Sequence, residues 1–244
     1  MNNIKANLEA IKTRMAQASL LAGRNPGDVK LMLATKTVPA ELIMEALGNE
    51  AALIGENKIQ ELKAKHPALA ERNTEFHFIG HLQTNKIKEA VHYAHCIESV
   101  DRIDLVEKLD QRLQHDGKSM NIMLQVNTSY EESKFGMSPE KAINFAKEVS
   151  KYDTLKVKGL MTIGLFSAEE EKIRKCFRLL KDIRLQIEEL GLPNFEVNEL
   201  SMGMSGDFET AIQEGATIVR VGTAIFGNRI YPDSHYWNEN KDIK

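Results

Sequence analysis

Hydrophobic and polar positions along the chain follow two rhythms in turn. Val29 to Lys36 is a short, mostly apolar run without helical spacing, which reads as a buried strand of a parallel sheet. Before it, Ile4, Leu8, Ile11 and Met15 recur at helical spacing and predict an opening amphipathic helix, placed to plug or cover the sheet. The alternation then repeats. Pro39 to Leu47 is a helix ended by Gly48, Ala52 to Gly55 a second strand, and Lys58 to Ala68 a helix stopped near Pro67. Glu75 to Gly80 is a third strand, Thr84 to Tyr93 a helix, and Cys96 to Ser99 a fourth strand. Asp101 is placed to cap a helix whose stripe is Ile103, Val106, Leu109 and Leu113.

The second half keeps the same period. Asn121 to Asn127 is a fifth strand, and Ser138-Pro139 opens the helix after it. Leu155 to Met161 is the sixth. Ser167 and Glu170 have the spacing of a capping box for a long helix buried through Ile173, Phe177, Leu180, Ile183, Ile187 and Leu190, with Gly191 and Pro193 as its stop. Glu196 to Leu200 is the seventh strand, Asp207 to Gln213 its helix, and Thr217 to Val221 the eighth. Eight βα units in about 200 residues, without a linker, predict an α/β fold: one closed (β/α)8 TIM barrel with an extra N-terminal helix, spanning 1–244 as a single domain. A doubly wound open sheet is the alternative, and it would call for a glycine-rich first turn that is absent.

The barrel directs attention to the carboxyl ends of its strands, where active sites are built. Lys36 ends the first strand there, and a half-desolvated amine has the lowered pKa that Schiff-base chemistry needs. A solvated lysine that merely ends a strand is the competing reading. After strand seven comes Ser201-Met-Gly-Met-Ser205-Gly-Asp207, and after strand eight Arg220-Val-Gly222-Thr223. Both are small, hydroxyl-bearing and glycine-containing, and barrels bind phosphate in that position through backbone N–H groups. Glycines also serve ordinary turns, so the inference rests on the two loops together.

Composition and charge narrow the class. A net charge of -3 gives no footprint for nucleic acid, and no apolar run approaches a membrane span. Met1 to Arg14 is polar and amphipathic rather than a signal peptide, and Cys96 and Cys176 lack metal or redox spacing. A cytoplasmic protein with reduced thiols is the expectation. His77 and His81, four apart, straddle a strand end and read as structural rather than as metal ligands. Met161, Met202 and Met204 suit packing, and Asp233 to Lys244, with the lone Trp237, reads as a loosely ordered tail.

Several motifs carry a resemblance to a known family. Ala34-Thr-Lys36-Thr37, Gly55-Glu-Asn57 with Gln60-Glu61, and His77-Phe-Ile-Gly80-His81-Leu-Gln83-Thr-Asn85-Lys86 resemble the YggS/PROSC family of pyridoxal-phosphate-binding proteins. So do Lys134-Phe-Gly136-Met137, Gly159-Leu-Met161, Leu200 to Asp207, and Arg220 to Gly227. The resemblance covers nearly the whole chain, from about Val29 to Asn228.

It implies the barrel shared with the N-terminal domain of alanine racemase (fold type III), with pyridoxal 5'-phosphate held as an internal aldimine on Lys36. It further implies a role in vitamin B6 homeostasis, with pyridoxal-phosphate-dependent apo-enzymes as recipients. Gly222 and Thr223 look like phosphate ligands, joined by Ser205 and Ser201. Arg220 resembles the arginine facing the pyridine nitrogen, which it cannot protonate, and this leaves the ring a poorer electron sink. Asn57 resembles a neighbour of the ring, and Lys134 lies in a loop that could meet a phosphate or second ligand. Racemases of this type add a C-terminal β domain and a partner-subunit tyrosine. Few residues follow Gly227, so a monomer without that second base is expected, with weak amino-acid racemisation as the rival activity.

Overall fold

The computed structural model describes residues 3–48 and 52–227. Its centre is a closed barrel of eight parallel strands in sequence order: β1 (Lys30–Ala34), β2 (Ala52–Glu56), β3 (Thr74–Phe78), β4 (Cys96–Val100), β5 (Met120–Gln125), β6 (Leu155–Met161), β7 (Phe195–Ser201) and β8 (Ile218–Val221). Around it run α1 (Ile4–Leu21), α2 (Ala40–Leu47), α3 (Ile59–Leu69), α4 (Ile87–Tyr93), α5 (Ile103–Asp116), α6 (Ala142–Val149), α7 (Glu170–Glu189), α8 (Phe208–Gln213) and the short α9 (Thr223–Phe226). The predicted (β/α)8 barrel with its additional first helix is therefore the fold. No helix among the described residues is long and apolar enough to cross a membrane.

Strand alternation divides the buried residues between two shells. Leu33, Ile54, Phe76, Phe78, Ile97, Val219 and Val221 point outward into the layer shared with the helices. Met32, Cys96, Met123, Met161 and Ile218 form a smaller cluster inside the barrel. Between these inner apolar residues lie His77, Glu98, Ser201 and Arg220, all buried. Barrel interiors are mostly layers of branched apolar side chains, so this polar layer is the fold's first departure from the common pattern. Register brings the two ends of the chain together: Met32 of β1 lies opposite Arg220 of β8, and Leu33 opposite Val221. The segments leaving β1 and β8 are thus neighbours at one mouth.

Local punctuation departs from expectation at several points. The first helix does not plug the barrel; α1 joins the outer ring against α8, α9 and α2, held by Asn7 on the Ile225 carbonyl (3.0 Å) and Arg14 on Glu209 (2.7 Å). Helix α3 ends as expected near Pro67, which sits in its last turn two residues before the final Leu69, where a proline removes only one hydrogen bond. Asp101 does not cap α5. Its carboxylate accepts from the Gly136 N–H (3.1 Å) and so ties the β4 loop to the β5 loop. Ser167 and Glu170 form no capping box, since Ser167 turns to accept from the Glu169 N–H (3.0 Å) one residue before α7 begins. Thr84 and Ser138-Pro139 open 3-10 turns that lead into α4 and α6.

Candidate functional site

At the carboxyl mouth of the barrel a cavity of about 310 Å³ is enclosed by the ends of β1, β2, β6 and β8 and the loop after β7. Such a volume suits a small cofactor. Of the seven residues singled out in the sequence, six line it: Lys36, Asn57, Ser205, Arg220, Gly222 and Thr223. Met161 and Met204 also face it, as does Asp207, whereas Met202 is buried in the core. Ser201 is the exception. It is fully buried below the cavity, where its hydroxyl donates to Glu98 Oε2 (2.6 Å) and accepts from Arg220 Nη1 (2.8 Å). Its one donor hydrogen and an acceptor lone pair are thus used inside the protein, and it does not line the cavity.

The loops after β7 and β8 meet at Ser205. Its hydroxyl oxygen lies 3.4 Å from the N–H groups of Gly222 and Ala224 and 3.2 Å from the Thr223 hydroxyl. Three donors therefore converge on one oxygen at the cavity wall. Gly222 has an additional reason for its identity. A Cβ there would stand 2.6 Å from the Ala34 carbonyl oxygen, so the close packing of β8 on β1 by itself excludes a side chain. Asp207 reaches back to the Met204 N–H (2.6 Å); burial pushes its carboxyl above the ordinary range, against the pull of that bond.

Below the cavity the polar layer forms a continuous chain. Arg220 donates to Ser201 and, through Nη2, to the Thr162 carbonyl (2.6 Å). Glu98 joins Ser201 to His77 Nδ1 (2.6 Å), and His77 Nε2 reaches Glu75 (3.1 Å) near the opposite mouth. Burial pulls the His77 pKa down, but bonds to Glu75 and Glu98 overcome it and hold the imidazole at about 9. Burial would raise the Glu98 carboxyl; the bond to His77 and the charges of His77 and Arg220 reverse the direction and keep it ionised. A cation therefore sits on either side of a buried carboxylate, which is the arrangement that makes such a charge tolerable.

A second buried cluster stands beside Lys36. Lys65 Nζ on α3 donates to the Thr35 carbonyl (2.8 Å), to Glu56 Oε1 (2.6 Å) and to Glu61 Oε2 (2.9 Å). The Thr35 hydroxyl donates to Glu56 Oε1 (2.5 Å), and the Thr37 N–H to Glu61 Oε2 (2.6 Å). Burial pushes the Glu56 carboxyl up to about 7 despite Lys65 and Thr35.

The remaining candidates have structural partners. His77 lies within the barrel, in the polar layer, while His81 stacks on Phe135 with centroids 4.1 Å apart. Lys134 holds Glu131 and the Gly164 carbonyl (2.7 Å), linking the loop after β5 to the loop after β6, and does not itself line the cavity. Glu98 and Lys65 were missed by sequence reasoning. Glu98 interrupts the apolar run of β4, and a polar residue at an inward position of a strand is a signal that could have found it.

Comparison with known proteins agrees with this geometry. The family model of the alanine racemase N-terminal domain matches residues 1–230. A pyridoxal phosphate homeostasis protein of Aquifex aeolicus is 38% identical over 229 residues, covering 94% of this chain and all of that one. The structure of PipY from Synechococcus elongatus, solved with PLP bound, is 32% identical and superposes with a TM-score of 0.77, covering 89% of this chain and 100% of its own. An alanine racemase of Clostridium difficile shares the fold at a TM-score of 0.76 with 14% identity; the chain spans 61% of it. With the family model matched across the barrel and full-length relatives above 30% identity, the chain belongs to the pyridoxal phosphate homeostasis protein family, built on the alanine racemase N-terminal domain.

Proposed function

We propose that this protein binds pyridoxal 5'-phosphate in the carboxyl-mouth cavity and serves vitamin B6 homeostasis, holding the cofactor rather than turning over a substrate. The observation that carries the reading is the convergence of Lys36, Asn57, Arg220 and the Ser205–Gly222–Thr223 group on one cavity. The names of its relatives and the bound PLP of PipY support it.

The residues fit the group chemically. Gly222, Thr223 and Ala224 already direct donors to one point, which suits a phosphate oxygen in place of, or beside, the Ser205 hydroxyl. Asn57 Oδ1 is buried and has no hydrogen-bond partner among the described residues, so it offers an acceptor to a ligand hydroxyl. Arg220, held from behind by Ser201 and Thr162, presents a fixed donor to a ring nitrogen and supplies no proton to it. If bound, the cofactor would supply an aldehyde carbon for Schiff-base chemistry at the Lys36 amine, with water as the by-product.

In this reading residues 1–244 are one functional unit, monomeric and cytoplasmic, that hands the cofactor to apo-enzymes dependent on it. The expected tail at 233–244 lies outside the described residues. Titration of the apo-protein with pyridoxal 5'-phosphate and with pyridoxal tests the assignment. Hydrogen bonds to a charged phosphate are worth about 1.5–3 kcal/mol each, so the phosphorylated ligand should bind far more tightly. Equal affinities would show that the two loops are only turns.

A further inference from the structure

We infer that Lys65 is a positioning residue for Lys36, gripping the chain on both sides of it so that its amine is presented to the cavity. The inference rests on Lys36 as the lysine that bonds the cofactor, and it assigns a role to a residue outside the cavity lining. Lys65 is buried on α3, and its ammonium makes three hydrogen bonds. One goes directly to the Thr35 carbonyl, the residue before Lys36. A second goes to Glu61, which takes the N–H of Thr37, the residue after. The third goes to Glu56, which receives the Thr35 hydroxyl.

Three donors and acceptors of the segment around Lys36 thus end in one side-chain cluster on β2 and α3. That segment needs holding. Thr37 has φ +64, a left-handed conformation unfavourable for a β-branched residue, which persists only where surroundings impose it. The Thr37 hydroxyl closes on the Lys36 carbonyl at 2.6 Å, so the constraint extends to Lys36's own backbone. A solvated face of α3 would not place a lysine inside a three-way bond of this kind. Covalent capture of an aldehyde demands that the amine stay within bonding reach of one carbon, and loss of position weakens it more than it weakens non-covalent grip.

The test separates those two contributions. Pyridoxine 5'-phosphate has the ring and phosphate but no aldehyde, so the ratio of its dissociation constant to that of pyridoxal 5'-phosphate reports the covalent part alone. Wild type gives a large ratio, and Lys36→Ala sets the value with no covalent part. Lys65→Met should lower the ratio by about tenfold or more, equivalent to one charge-assisted hydrogen bond, with pyridoxine 5'-phosphate binding within about twofold of wild type. Lys65→Arg should recover part of the loss. Glu61→Ala, at a partly exposed position of α3, leaves Lys65 its bonds to Thr35 and Glu56 and should lower the ratio several-fold; if Lys65→Met fails to fold, this variant decides. An unchanged ratio, or equal weakening of both ligands, would overturn the inference. A wild-type ratio near that of Lys36→Ala would overturn the Lys36 reading itself, and the inference with it.

Discussion

Ser201 accepts a hydrogen bond from Arg220 Nη1 at 2.8 Å, and in doing so turns its hydroxyl away from the cavity it was expected to line. The same hydroxyl donates to Glu98, so Ser201 is the link between an arginine at the cavity and a carboxylate within the barrel. Ser205, four residues on, is the hydroxyl at which the β7 and β8 loops meet. Two serines of one motif thus have different work, and mutation should separate them.

Ser201→Ala leaves Glu98 Oε2 and Arg220 Nη1 each short of a buried partner, and should lower stability by about 1–3 kcal/mol. Ser205→Ala should leave stability nearly unchanged and weaken binding of pyridoxal 5'-phosphate relative to pyridoxal. Urea unfolding and ligand titration of both variants check the pair of outcomes; the reverse pattern would exchange the two roles.

The His77–Glu98 pair sets a pH dependence. The folded-state pKa of His77 is raised from 6.5 to about 9, so its contribution is complete below about 6.5 and is lost as pH rises through 9. At most that contribution is about 3 kcal/mol. Glu98 is shifted down, so its contribution is present above the ordinary carboxylate range and fades as pH falls through its lowered value. Thermal unfolding from pH 6 to 10 should show stability falling between about 6.5 and 9 and levelling above that, and His77→Gln should remove most of that slope while lowering stability throughout.

Gly222 predicts a confounded phenotype. Because a Cβ would meet the Ala34 carbonyl at 2.6 Å, even Gly222→Ala should destabilise the barrel, by about 1–3 kcal/mol, besides weakening phosphate binding. The damage arises where β8 packs on β1, so unfolding measured without ligand will reveal it. A ligand-free stability equal to wild type would place the effect wholly in the phosphate site.

Much of this architecture is legible in the sequence, for identifiable reasons. Strands such as Lys30–Ala34 are short, mostly apolar runs, and in a barrel the loops after them fall at one mouth in order. Lys36, Ser205, Gly222 and Thr223 could therefore be assembled from their positions after β1, β7 and β8. The polar layer could not, because Glu98 is joined to Ser201, 103 residues away, through a register that no local pattern encodes. Lys65 reads as one more charge on the polar face of α3, and only the fold reveals that it turns inward to Thr35. The caps expected at Asp101 and Ser167 failed for a related reason: each side chain found a different backbone N–H, at Gly136 and Glu169.

Catalysis of racemisation should be at most a trace. The titratable groups among the described cavity-lining residues are Lys36, Asp207 and Arg220, and Asp207 is engaged with the Met204 N–H. Racemisation needs an acid and a base on opposite faces of the substrate carbon. With purified protein loaded with pyridoxal 5'-phosphate, interconversion of alanine enantiomers should stay well below about 1 per second; a rate at or above that, within the ordinary enzyme range, would favour the racemase reading.

The central claim is that Lys36 is the residue to which the cofactor is bonded. Borohydride reduction of the protein loaded with pyridoxal 5'-phosphate, followed by proteolysis and mass mapping, tests it most directly. A stable pyridoxyl mass is expected on the peptide carrying Lys36, and it should disappear in Lys36→Ala even where the phosphate loops still retain the ligand. A label found instead only on Lys134 or Lys86, or no label on any lysine, would contradict it.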